Sequence, residues 1–588
     1  MPAAAETRSR LHSLLERFRR EKGGASAQRQ AIVEERFSDR NGDRNIDLSG
    51  NRLRIAVVGF LVVYGIITGR LVLLGMAEVQ PSLALQSARD SVAAARPNLI
   101  DRNGVILATD IKTSSLYAEP YKINYIDDAI EKLSAVLPEL GTMATRRKLE
   151  SKARFVWLKR ELTPQQQQAI HELGIPGVGF IPENRRFYPG GSTAGHIVGT
   201  VNIDNQGIGG LEKYIDGQGL AVLQKMGMSA DSDMRPVKLS VDLRVQHAIR
   251  DELKRAMERY KAIAAVGIVL NVKTGEVMGM SSLPDFNPND PKQALEKNRL
   301  NRATAGVFEM GSVFKTFTTA MALDSGLVKM SDSFDARNPI RIGGFTISDF
   351  HAKRRILKVP EIFIFSSNIG TAKMARTVGI DGQREFLKRL GLTTRMHTEL
   401  PEVARPLRPR KWTELTSMTV SFGHGISVTP MQTAVAAAAL MNGGRLISPT
   451  FFPRTEKEAM SHAKQVVKPE TSLAMRELFR LNALKGSGRK AEVPGYVVGG
   501  KTGTAEKVVN GRYDRSKRRN SFLAAFPMTD PKYVVLVVLD EPKPEKKGMY
   551  ATAGWNAAPT VAGIIRRSAP MLGISPEFDA KSTVLVSN

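Results

Sequence analysis

The stretch IAVVGFLVVYGIITG, from Ile55 to Gly69, holds no charge, and beyond Arg70 the chain continues LVLLGM to Met76. Such a run matches the roughly 20 apolar residues that an α-helix needs to cross a bilayer. A buried core helix is rarely apolar all round over this length. Arg70 lies near one end, where its long side chain can reach the headgroups. Arg36, Arg40, Arg44, Arg52 and Arg54 precede the run, whereas only Arg89 and Arg96 follow within twenty residues. Flanking positive charge stays on the cytoplasmic side. Residues 1–54 are therefore expected as a mostly disordered cytoplasmic tail, with one amphipathic helix around Leu11–Phe18. Residues 55–76 are the membrane span, and everything beyond lies across the membrane. A cleaved signal peptide is disfavoured, because the charged leader is too long and no small-residue cleavage site follows.

The 588 residues suggest three or four folded units, and the absence of Cys excludes thiolate nucleophiles, disulfides and Cys-ligated metal sites. The net charge of +27 invites a nucleic-acid reading. However, the excess is diffuse and no recognition-helix or groove motif accompanies it, so no nucleic-acid partner is expected. Between about 80 and 235, short strand-like runs alternate with turns, as in Gly104–Ala108 and the glycine-rich Gly207–Gly219, around a helical run at Asp127–Leu137. This reads as an irregular α+β pedestal, residues 77–235. From Val237 a short strand leads into a helix capped by Asp242. A β-hairpin then turns at Lys273-Thr274-Gly275. Strand-like Ser521–Pro527 and Tyr533–Leu539 come late, before a terminal helix around Pro559–Ser568. Helical runs at Phe314–Leu323, Ile369–Val378 and Met431–Met441 lie between. Residues 236–575 are thus expected to form one α/β domain, its sheet built from early and late segments. Residues 576–588 are left as a tail.

Three short patterns carry chemistry only in combination. Ser-x-x-Lys occurs at Ser312, Ser461 and Ser487, Ser-x-Asn at Ser49 and Ser366, and Lys-Thr-Gly at Lys273 and Lys501. One set runs in series beyond the apolar run: Ser312–Lys315, then Ser366-Ser367-Asn368, then Lys501-Thr502-Gly503-Thr504. Residues three apart share a helix face, so the Lys315 amine can meet the Ser312 hydroxyl. A desolvated lysine loses its proton more easily and can take one from serine. A hydroxyl at Ser366 can relay a proton, and Asn368 can hold an amide through both polar ends. Gly503 would let a ligand lie against a strand. The main-chain amides of Thr504 and Ser312 can form an oxyanion hole. Lys501 with the hydroxyls of Thr502 and Thr504 suits a carboxylate.

This ordered triple resembles the active site of penicillin-binding proteins and serine β-lactamases. The resemblance spans about residues 50–570. Arg96-Pro97 through Asp101-Arg102-Asn103-Gly104, and Gly207–Asp216, are similar to pedestal motifs of class B penicillin-binding proteins. Asn301-Arg302-Ala303, Gly423-His424-Gly425 and Ser427-Val428-Thr429-Pro430 also match, while Met310 stands where that family often has Pro. The resemblance is nearest to the septal, cell-division branch. It implies a penicillin-binding transpeptidase/serine β-lactamase-like α/β (α+β) domain in the bacterial inner membrane, single-pass, with its catalytic part periplasmic. Catalysis is then assigned to Ser312, Lys315, Ser366, Asn368 and Lys501, and substrate binding to Thr502, Gly503 and Thr504. The implied ligands are peptidoglycan stem peptides and β-lactams. The implied partners are a septal glycosyltransferase of the shape, elongation, division and sporulation (SEDS) family and other division-complex membrane proteins. No cofactor or metal is implied, and His424 is expected to be structural or cleft-lining. An elongation-specific transpeptidase, a β-lactamase and a non-enzymatic penicillin-binding scaffold or sensor are the competing readings. A β-lactamase would need a water-activating group, and no Glu-x-x-x-Asn element lies between Asn368 and Lys501.

Overall fold

The computed structural model describes residues 47–76, 96–219, 235–546, 548 and 550–578. Two compact units emerge, Met1–Pro81 and Ser82–Asn588. In the first, a single helix, α1 (Asp47–Met76), carries the apolar run. Its Arg54–Leu73 stretch is long and apolar enough to cross a membrane, and none of it is buried. The helix expected around Leu11–Phe18 lies outside the described residues.

The second unit opens with a five-stranded sheet of β1 (Leu99–Ile100), β2 (Ile106–Ala118), β3 (Val156–Leu162), β4 (Val178–Phe187) and β5 (Val237–Lys238). The long β2 pairs with both β3 and β4. Two helices, α2 (Ile126–Val136) and α3 (Pro164–Glu172), cover it. Thr163 and Gln166 exchange capping hydrogen bonds at the start of α3, and Pro164 stands at its first turn, where no backbone donor is needed. Leu116, Leu133, Leu162 and Ile170 close a separate small core.

At the lower end of this pedestal a charge network is buried. Arg186 and Glu212 have fully buried side chains 2.7 Å apart. Arg96 reaches Glu212 at 2.7 Å, and Arg186 reaches Asp110 at 3.0 Å. The Asp101 carboxylate accepts from the Asn103 and Val105 amides at 2.8 Å and from Leu243 N at 3.0 Å. The pedestal motifs thus meet one another and grip the start of the next domain. Because β5 pairs in parallel with β1, Val237 and Lys238 extend the pedestal sheet across the expected boundary.

Helix α4 (Leu243–Tyr260) follows, capped by Asp242, and the expected hairpin forms from β6 (Ala264–Asn271) and β7 (Val277–Leu283). The helical centre contributes α5 (Lys315–Asp324), α6 (Val359–Phe365), α7 (Asn368–Val378), α8 (Pro430–Met441) and α9 (Pro469–Lys485). The late segment supplies β8 (Gly499–Val509), β9 (Arg512–Phe526), β10 (Tyr533–Asp540) and α10 (Ala557–Met571). The sheet order is β8-β9-β10-β6-β7, antiparallel throughout, so early and late segments do share one sheet. On one face α4 and α10 bury Val245, Ile249, Ile564 and Ile565. On the other lies the helical core, with α8 wholly buried. The expected tail begins late: Pro576 and Phe578 lie against Gly495, and Glu577 N donates to its carbonyl at 2.8 Å.

Candidate active site

Ser312 stands in a single 3₁₀ turn, Gly311–Phe314, that runs directly into α5. In a 3₁₀ turn residues three apart eclipse one another, which puts Ser312 and Lys315 on one side. Gly311 takes φ +52, and a Cβ there would meet the Thr504 carbonyl at 2.8 Å. Gly423 takes φ +85, and its Cβ would fall 2.2 Å from the Gly311 carbonyl. Only glycines let these three backbones converge.

Lys315 is 1% exposed. Its Nζ donates to the Ser366 carbonyl and, at 3.1 Å, to Ser366 Oγ. The direct Ser312–Lys315 hydrogen bond expected from spacing is absent among the described residues; the amine is taken up by Ser366 instead. Ser366 ends α6 in the left-handed region, φ 56, an uncommon conformation for a residue with a Cβ. That conformation aims both its carbonyl and its hydroxyl at the same amine.

Ser367 caps α7, accepting from Gly370 N at 3.0 Å. Its hydroxyl donates to Asp349 Oδ2 at 2.7 Å, while Ile369 N donates to Asp349 Oδ1 at 3.0 Å. Asn368 spends its Nδ2 on the Ser348 carbonyl at 2.8 Å. That bond uses one of the two amide hydrogens, so the second hydrogen and the oxygen remain for a ligand.

Strand β8 forms one edge of the main sheet. Lys501 is fully buried, its Nζ 5.7 Å from the centre of the Phe363 ring. A Cβ on Gly503 would meet the Met310 carbonyl at 2.5 Å and Val313 at 2.9 Å. The glycine thus admits the close approach of the serine-bearing turn. Side chains alternate along a strand, so the threonines leave on the other side from Lys501. Thr502 Oγ1 lies 2.6 Å from Ser487 Oγ, and Thr504 Oγ1 accepts from Ala553 N at 3.3 Å. A single cluster of the Lys501 amine with both hydroxyls is not formed.

Neither lysine has an ion-pair partner among the described residues. Burial holds the Lys315 amine well below the usual lysine range, and the nearby Lys501 charge adds to this, against an opposing pull from Asp349. Burial brings Lys501 down to about 7. The constellation places a hydroxyl, a buried amine whose charge is disfavoured and a second hydroxyl in sequence around a dry floor. That is the equipment for moving a proton off one oxygen and onto a leaving group.

Several cleft residues carried no motif. Asp349 pins the Ser366–Asn368 segment from a loop. Asn482 Nδ2 holds the Gly500 carbonyl at 2.6 Å. Glu309, beside the turn, accepts from Gly425 N at 2.8 Å and from the Tyr513 hydroxyl at 3.1 Å. Burial raises its carboxyl. His424 is sandwiched 5.4 Å from both Phe422 and Tyr513, and burial lowers it to about 4, leaving a neutral ring at the cleft wall. Only strand periodicity could have hinted that Tyr513 returns toward Glu309.

Comparison with known proteins gives the family. The penicillin-binding protein transpeptidase domain matches residues 265–565, and the penicillin-binding protein dimerisation domain matches residues 91–218. The chain belongs to the class B penicillin-binding proteins. Among its relatives, the probable peptidoglycan D,D-transpeptidase FtsI of Caulobacter vibrioides is 40% identical over 493 residues, 82% of each chain. FtsI of Escherichia coli is 30% identical over 519 residues, 83% of this chain and 85% of its own. It is therefore a peptidoglycan D,D-transpeptidase of the FtsI type. Penicillin-binding protein 3 from Mycobacterium tuberculosis, solved with aztreonam, shares the fold at TM-score 0.62 and 22% identity, over 82% of this chain and 97% of that one.

Proposed function

We propose that the protein cross-links peptidoglycan at the division septum through an ester on Ser312. The carrying observation is the pair of buried amines, Lys315 and Lys501, that have no ion-pair partner among the described residues beside the turn that carries Ser312. Ser312 Oγ attacks the penultimate D-alanine carbonyl of a stem peptide, and its proton passes to neutral Lys315. The main-chain amides of Ser312 and Thr504 receive the oxyanion; their segments already touch at Gly311. Ser366, bonded to Lys315, hands the proton to the departing D-alanine amine. An acceptor amine then attacks the ester, gives up its proton along the same path, and frees Ser312. Lys501 lends electrostatic support beneath, Asn368 Oδ1 orients the donor peptide, and Thr502 and Thr504 hold its carboxylate at Gly503.

A β-lactam enters the same sequence, its ring amide opening to leave a persistent ester on Ser312. The single helix α1 would hold the protein in the inner membrane, its larger part in the periplasm. Glycan strands would come from a SEDS-family glycosyltransferase, met through the membrane helix and pedestal. Fluorescent penicillin should label the full chain in detergent with one equivalent, and Ser312→Ala should abolish labelling; unchanged labelling sinks the assignment. Depletion in cells should give filaments, whereas round cells would assign the protein to elongation.

A further inference from the structure

Away from the cleft, a half-open groove of 720 Å³ lies between the helix Ile380–Arg389 and the segment ending at Trp412. Arg384 and Lys388 line one wall, Arg408 and Arg410 the other, against the carboxylates of Asp381 and Glu385. Arg384 pairs with Asp381 at 3.3 Å, but the side chains of Lys388, Arg408 and Arg410 have no ion pair or hydrogen bond among the described residues. The second wall reads RPLRPRKW from Arg405, so like charges crowd along one short stretch. Two prolines fix its backbone, and repulsion between its cations cannot be relieved by collapse.

That wall is not a loose loop. Leu407 exchanges two 2.8 Å backbone hydrogen bonds with Ser427, and Val428 in turn exchanges bonds of 2.9 and 3.0 Å with Phe308. Phe308 is four residues before the candidate nucleophile. Glu402, at the start of the same segment, accepts from the pedestal amide of Gly210 at 3.1 Å. Trp412 rests against the core and provides a firm floor. The groove is therefore a rigid, cation-lined channel joined by hydrogen bonds to both pedestal and cleft.

We propose that this groove binds an acidic segment of a partner protein. Its volume falls in the range that encloses a ligand of several residues' bulk, well beyond one phosphate. Cations on facing walls of a concave channel complement an extended anionic chain, whereas a lipid surface needs a convex or flat face. Such complementarity sets partner choice and association rate more than packing does.

The full chain in detergent micelles would be titrated against fluorescein-labelled deca-glutamate, read by anisotropy at moderate and high salt. Arg408→Glu with Arg410→Glu should weaken binding by about tenfold or more. The control pair Arg147→Glu with Lys152→Glu, on the exposed pedestal head, should leave it unchanged. Penicillin labelling of each variant shows separately that the catalytic domain is folded and competent. Equal weakening in both pairs, or none in either, would overturn the proposal. So would variants that keep the peptide but lose binding to phosphatidylglycerol vesicles, since the groove would then serve a membrane surface.

Discussion

Lys315 and Lys501 are placed where an ammonium is poorly tolerated, and their chemistry follows from that. A lysine in water keeps its proton to roughly pH 10.4. Here burial lowers both, Lys501 to about 7. Acylation by a penicillin should accordingly rise with pH and level off below the range where an ordinary lysine loses its proton. Stopped-flow rates from pH 5 to 9 test this, and a rate still climbing tenfold per unit at pH 9 would indicate an ordinary lysine. The same burial has a stability consequence. Between about 7 and roughly 10.4 the unfolded chain holds a proton on Lys501 that the folded chain lacks, so stability increases with pH across that window. Lys501→Met should reduce that slope in urea unfolding curves, leaving the share that Lys315 contributes, while abolishing transpeptidation.

At the scale of elements, the site exists where a 3₁₀ turn, a strand edge and a helix start converge. Gly423→Ala would drive a Cβ to 2.2 Å from the Gly311 carbonyl in a left-handed backbone. We expect a loss of about 3 kcal/mol or more, seen as a lower Tm, with penicillin labelling impaired in parallel. Asp349 is a subtler test. Asp349→Ala leaves Ser367 and Ile369 without their acceptor, costing about 1.5–3 kcal/mol. Asp349→Asn keeps one of the two accepting oxygens and removes the charge that raises Lys315. Its acylation profile should therefore shift to lower pH; a profile unmoved would show that Asp349 is merely structural.

For the whole molecule, the buried network of Arg96, Arg186, Asp110 and Glu212 fastens the pedestal sheet to the residues that lead into the main domain. Glu212→Ala would leave each buried guanidinium with one carboxylate, Asp110 for Arg186 and Asp216 for Arg96, at a cost of about 3 kcal/mol. Differential scanning calorimetry should show the pedestal transition falling well before any loss of penicillin labelling; a single unshifted transition would refute the separation.

The chain's sequence was enough to place the membrane-spanning run, the helix capped by Asp242, the hairpin at Lys273–Gly275 and the order of the three motifs. Each of these rests on local composition, periodicity or spacing, which folding does not rearrange. The sequence did not reveal that Gly503 serves the Ser312 turn, that Ser366 intercepts the Lys315 amine, or that Asp349, Glu309 and Tyr513 border the cleft. Those facts depend on backbones far apart in the chain arriving within a van der Waals radius of one another. Only three-dimensional packing sets such distances, because no local preference encodes what will lie on the far side of a strand edge.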